Sequence, residues 1–268
     1  MKIYSLSLAA IVMATFGACS ANKGVPGNRV VPDGEYITYD VQAKDVNSIN
    51  VSSAIEVQYT QSETVSVKVD CPENIAEMLD VTVKNGLLVA GFKPNTTIDG
   101  NCRVTVTVTS PGLRSIDASS SSQFGMTGAL VQNGPLSVEA SSSARVNLCN
   151  LSVSRLDVDN SSSSSVEVSG VKADSLDIEC SSSASAGVSD IRCQNVEADA
   201  SSTATITLSG VTVTAEYEAS STAIIDAEAL RAETVVSAAA SSTATVSCSA
   251  DNYKTITEKS GGTVSCEK

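Results

Sequence analysis

Leu156-Asp-Val-Asp-Asn-Ser-Ser-Ser-Ser-Ser-Val-Glu-Val-Ser-Gly170 is followed twenty residues on by Leu176-Asp-Ile-Glu-Cys-Ser-Ser-Ser-Ala-Ser-Ala-Gly-Val-Ser-Asp190. Both stretches contain an alternating apolar and polar run, a serine block, a second alternating run and a turn. Alternation with a period of two is the mark of a strand with one buried face. Outward from these two copies, serine blocks begin at Ser119, Ser141, Ser161, Ser181, Ser201, Ser220 and Ser241, with a degenerate copy at Ser260. Their successive spacings are 22, 20, 20, 20, 19, 21 and 19 residues. A unit of this length is one coil of a β-solenoid, each coil stacked on the last at the strand spacing of about 4.8 Å. Sandwiches and barrels also have short strands and turns, but nothing in them imposes a constant period. Residues 117–268 therefore read as an all-β, single-stranded β-solenoid, a β-helix of right-handed sense.

Upstream of the repeat the period is lost but the strands are not. Ile55-Glu-Val-Gln-Tyr59, Val65-Ser-Val-Lys-Val69 and Val104-Thr-Val-Thr-Val108 alternate. Asn85-Gly86 separates Val81-Thr-Val-Lys84 from Leu87-Leu-Val89, a strong two-residue hairpin signal. Only Pro72–Leu79 suggests a helix, and it is short. Residues 33–116 thus form a β-rich head, expected to be continuous with the solenoid as one domain.

The N-terminus reads as an export signal. Lys2 precedes the apolar stretch Ile3–Phe16, and Gly17-Ala18 places small residues before Cys19. The pattern resembles a bacterial lipoprotein signal, in which residues 1–18 are removed and Cys19 carries the lipid. Acyl chains there would tie the protein to a membrane, expected to be the outer membrane, through the tether 19–32. Export also means an oxidising compartment. The chain has 8 cysteines, so seven remain beside Cys19, and at least one must stay free or pair outside the chain. Cys248 and Cys266 close the same Thr-Val-Ser-Cys motif in consecutive coils. Stacking would bring their Cα atoms within disulfide range, pinning the last coil. Cys71 and Cys102 are a weaker candidate pair. Cys180 and Cys193 fall on inward phases, as small core residues.

Aligning the units turns sequence into columns. Leu136, Leu156, Leu176 and Val196 share one, and Val138, Val158, Ile178, Ala198 and Tyr217 another; both should face the interior. So should Val146, Val166, Ala186, Ile206, Ile225 and Val246. The positions between them are acidic. Asp157, Asp177, Glu197 and Glu216 form one outward column, and Glu139, Asp159, Glu179, Asp199 and Glu218 form the next. Like charges about 5 Å apart repel by on the order of 1 kcal/mol in water, so counterions, Ca²⁺ or a basic partner must offset them, unless solvation alone suffices. The serines stack too, and their hydroxyls can satisfy corner backbone groups or present a hydroxyl ladder to glycans.

The stretch Val46–Val51 with Ile55–Val57, the Asn85-Gly-Leu-Leu-Val89 hairpin and Val104–Asp117 resemble the auto-transporter adhesin, head GIN domain family, over roughly residues 35–250. That resemblance implies an exported bacterial β-helical protein and an adhesin function. It carries no functional residue across.

Composition narrows the function further. The chain has a net charge of −13 and no His or Trp. The charge argues against nucleic acid, whose phosphates need Lys and Arg. Without His there is no Ser-His-Asp or Cys-His arrangement. The carboxylates recur coil after coil with no single irregular, aromatic-lined place where a glycosidic bond could be cleaved. The expectation is a non-catalytic envelope lipoprotein without a cofactor, binding a glycan or protein surface. The alternatives are a purely structural lipoprotein and, remotely, a polysaccharide-processing β-helix.

Overall fold

The computed structural model describes residues 28–267. It is a β-solenoid of about eight turns. The strand Arg155–Asn160 pairs in parallel with Leu136–Ala140 on one side and with residues 175–180 on the other, so Leu156 sits between Leu136 and Leu176. The same parallel register continues through the later coils to residues 252–259. The inward columns read from the sequence are buried throughout.

Each coil has three sides. Within the strand Ser165–Cys180 the buried residues are Val166 and Val168, then Val171 and Ala173, then Leu176, Ile178 and Cys180. The twofold alternation slips at 169–170 and again at 174–175, and each slip is a corner. The first side corresponds to residues 155–160, the second to 165–169 and the short third to 171–173. The sequence reading finds only two sides, because three residues are too few to establish a period.

The serine blocks form the corner between the first and second sides. Ser164 N–H donates to the Ser161 carbonyl, closing a four-residue turn, and Ala184, Ala204, Ala223 and Ala244 repeat the bond. Residues 162, 182, 202, 221 and 242, all serine, have φ between 62° and 67°. A positive φ at the first central residue alone is the type II′ pattern. The earlier corners differ: Ser53 and Ala54, Ser120 and Ser121, and Ser142 and Ser143 are both positive, the type I′ pattern. Thr203, Thr222 and Thr243 hydroxyls donate to the corner carbonyls of Ser182, Ser202 and Ser221, one coil back. These hydroxyls therefore satisfy backbone groups, as stacking predicts.

Coils that alternate Ala with Val, Ile and Leu leave a narrow interior, and the few rings are accommodated locally. Tyr59 and Phe124 stack with centroids 6.4 Å apart. Tyr217 lies in register between Ala198 and Ala238, whose small side chains make room for it. Its hydroxyl is buried without a hydrogen-bond partner.

Upstream of the repeat, stacking order departs from chain order. Ser48–Val51 pairs with Ser115–Ala118 on one side and with Leu87–Phe92 on the other. Glu56–Gln61 likewise lies between Gln123–Thr127 and Thr105–Ser110. The chain has thus slipped residues 87–110 beneath the coil that precedes them. Antiparallel strands then close that end: Leu79–Lys84 on Leu87–Phe92, Ser66–Pro72 on Thr105–Ser110, and Tyr36–Asp40 outermost. Such a cover satisfies an edge that would otherwise template pairing with another chain. Asn85-Gly86 is the tight turn of the first of these pairs, with both residues at positive φ. Glu73–Met78 is a short 3-10 helix. Among the described residues no helix is long and apolar enough to cross a membrane.

Candidate functional site

The acidic columns lie on the first side, where the strand pleat points every second residue to solvent. Register places Asp157, Asp177, Glu197 and Glu216 one above another, and Glu139, Asp159, Glu179, Asp199 and Glu218 beside them. The second column continues one coil further back to Asp117, which accepts a 2.6 Å hydrogen bond from Asn50 Nδ2. Both columns end after Glu216 and Glu218, against Ser237 and Ala239.

The ribbon is not uniformly uncompensated. Arg155, two residues before the first column and on the same outward face, pairs with Asp157 and donates from Nη2 to Asp177 Oδ2 at 2.8 Å. Arg155 is absent from the sequence reading, because its column continues as Ser175, Asn195 and Thr214 and shows no charge pattern. Farther along, no cation pairs with the ribbon among the described residues. Partial burial pushes the Asp199 carboxyl up to about 6, reinforced by Glu197, Glu218, Glu179 and Asp177. Burial and Glu197 also raise Asp177, against the opposing pull of Arg155. Asp159, Glu179, Asp199 and Glu218 line a shallow open depression of about 290 Å³ together with Ser181, Ser201 and Ser220.

This geometry gives Ca²⁺ no support. Among the described residues no three Asp, Glu or Cys side chains are arranged to hold a metal ion. The carboxylates of a strand ladder project side by side in one direction, whereas Ca²⁺ needs six to eight oxygens converging on a point.

The cysteines divide by environment. Cys248 and Cys266 stack in register with Cα atoms 4.5 Å apart and are joined as a disulfide in the structure. Cys71 and Cys102 are not joined. Cys71 is buried in the antiparallel cover opposite Ile37, and Cys102 lies in the loop leading to Thr105–Ser110, beyond the last ladder pair Asp70 and Thr105; burial pushes the Cys71 thiol up to about 11, reinforced by Cys102 nearby. Cys180 and Cys193 are buried core thiols. Burial pushes Cys180 up to about 12. Cys19, the lipidation candidate, lies outside the described residues.

Comparison with known proteins places this geometry. Solved structures share the fold over nearly the whole chain. A "putative adhesin" from Parabacteroides distasonis is 19% identical with a TM-score of 0.66, covering 90% of this chain and 100% of its own. A "putative adhesin" from Parabacteroides merdae is 21% identical with a TM-score of 0.60 over the same shares of the two chains. A "putative lipid binding protein" from Parabacteroides distasonis is 16% identical with a TM-score of 0.60, again covering 90% and 100%. No curated protein matches the chain. The family described as "Putative auto-transporter adhesin, head GIN domain" matches twice, over residues 45–196 and again over 161–267, two overlapping placements that fit a periodic sequence. The chain belongs to that family.

Proposed function

We propose that the protein is a non-catalytic binding module of the cell envelope, an adhesin that meets its ligand along the faces of the solenoid. The observation that carries this reading is the register itself. Outward residues recur once per coil at strand spacing, so each side presents a long, straight array suited to an extended or repetitive ligand. The interior is filled by the buried columns, which favours contact at the surface over an enclosed apolar ligand. Names of the family and of the similar structures, adhesin and lipid-binding alike, support a surface ligand. Cys19, carrying lipid at the end of a tether, would hold the solenoid at the outer membrane.

The test is a glycan array together with a cell-adhesion assay on the purified mature chain. Saturable binding to a defined class of surface is expected. Uniform absence of binding would sink the adhesin reading and leave the structural lipoprotein. Globomycin treatment, which blocks lipoprotein signal cleavage, should leave the precursor unprocessed; normal processing would overturn the anchor at Cys19.

A further inference from the structure

The short third side differs in charge from the first. Register stacks Lys172, Arg192, Val211 and Arg231, one per coil, between Ser152 and Ser249. In a chain of net charge −13 this is a column of three cations interrupted by a valine. With strands about 4.8 Å apart, Lys172 and Arg192 are neighbours, and Arg231 lies about 10 Å beyond Arg192. Arg231 pairs with Asp251 at 3.0 Å. Lys172 and Arg192 enter none of the ion pairs among the described residues.

These side chains border an open cleft of about 540 Å³, against about 290 Å³ for the acidic depression. Its lining includes Cys193 and Val213, and Val211 is 53% exposed there. Gln194, Glu233 and Asp251 supply polar groups along the rim. The cleft therefore combines unpaired cations, a small apolar surface and carboxylates that can only accept hydrogen bonds.

We propose that this cleft binds an acidic polysaccharide laid along the solenoid axis. Carboxylates or sulfates of the ligand pair with Lys172 and Arg192 and, farther along, with Arg231. The aliphatic face of a sugar ring covers Val211 and Val213, and ring hydroxyls donate to Glu233 and Asp251. Nucleic acid fits less well, since its charge, about one per 1.7 Å of duplex, is denser than the one carboxylate per sugar ring that these few cations can match. This assignment rests on the binding-module reading and adds a face and a ligand class to it.

Isothermal titration of the mature chain with polygalacturonate oligomers, and with neutral dextran of equal length, tests it. Binding to polygalacturonate alone is expected, weakening as salt is raised. Lys172→Glu with Arg192→Glu should lower the affinity roughly tenfold or more, while Glu63→Gln, exposed in the turn before Ser66–Pro72, leaves it unchanged. The milder pair Lys172→Gln and Arg192→Gln, with an unaltered melting curve, guards against loss through misfolding. Absence of polygalacturonate binding at low salt overturns the proposal, as does binding that both double variants retain. A wild-type chain that is silent on the array but takes up polygalacturonate would refute the adhesin reading alone. Binding on the array that survives both double variants would refute the cleft alone. Loss of binding that tracks loss of a dimer in sedimentation would assign the cleft to self-association and also overturn it.

Discussion

Gly210 shows how one residue lets the repeat change length. The unit that begins at Ser201 has 19 residues, and the shortfall is absorbed between Val188 and Ile191, where the register against the next coil shifts. Gly210 sits at that shift with φ at +131°, and a Cβ there would stand 2.4 Å from both the nitrogen and the oxygen of Ile191. Backbone atoms cannot step aside as a side-chain tip can. Gly210→Ala should therefore destabilise by roughly 3 kcal/mol, lowering the melting temperature by about 6–12 °C for a domain of this size. Gly187→Ala is the control. A Cβ at Gly187 meets only the carboxyl end of Glu167, which can swing away, so a change within about 2 °C is expected. Equal losses at both glycines would show that the close approach of backbone to backbone is not what selects glycine at 210. Asp199 gives a second residue-scale prediction. Its carboxyl is held near 6, above the usual value of about 3.9, so the folded state binds the proton more tightly than the unfolded chain. Stability linked to this group is highest below about pH 4 and falls as pH rises through about 6. Asp199→Asn should raise the melting temperature at pH 7.5 and have little effect at pH 4. A variant that melts like the wild type at both pH values would show that the ribbon is relieved by counterions.

The serine corner is the element in which two turn types meet. In the early coils the second central residue donates forward: Ala54 N–H to the Ser120 carbonyl and Ser121 N–H to the Ser142 carbonyl. In the later coils it donates backward: Ser183 to Ser162, Thr203 to Ser182, Thr222 to Ser202 and Thr243 to Ser221. Types I′ and II′ differ by a flip of the central peptide, so the change in φ pattern and the reversal of the bonds are one event. It falls between the coils of Ser143 and Ser163, whose N–H groups have no backbone acceptor among the described residues. Both are exposed, so water can serve them. Hydrogen exchange should find the Ser143 and Ser163 amides fast, and those of Ser183, Thr203, Thr222 and Thr243 slower by at least about tenfold. Protection of Ser143 equal to that of Thr203 would refute the reversal. None of this is readable in the sequence, since Ser-Ser-Ser satisfies either turn. What the sequence does disclose is the spacing. A repeat near twenty residues places Leu156 over Leu136 and Asp177 over Asp157, and the inward columns and the ribbon follow from that alone. Side three stays hidden because Val171-Lys-Ala173 is too short to alternate, so its cations cannot be aligned without the corners.

At the scale of the whole molecule a solenoid has two ends and no closed core, and each coil is held mainly by its neighbours. The N-terminal end is covered by antiparallel strands, an arrangement dictated by contacts between residues far apart in sequence. For that reason the alternation of Val65–Val69 and Val81–Val83 identifies strands but not their place beneath the stack. At the other end the ladder Thr263–Glu267 covers only the second side, and residues 252–259 remain largely exposed. The Cys248–Cys266 link, 18 residues apart in sequence, ties this last coil to the one before. Closing a loop of that length removes unfolded-state entropy worth about 3 kcal/mol, provided the native geometry is unstrained. Because stability in a stack is local, the effect should be local too. The double variant Cys248→Ala with Cys266→Ala should speed amide exchange over residues 245–267 by about a hundredfold while leaving residues 136–200 unchanged. Mass analysis of the non-reduced protein should find these two cysteines linked and Cys71, Cys102, Cys180 and Cys193 as thiols. If exchange accelerated equally along the whole chain, the coils would be unfolding as one unit, and the nearest-neighbour description of the solenoid would fail.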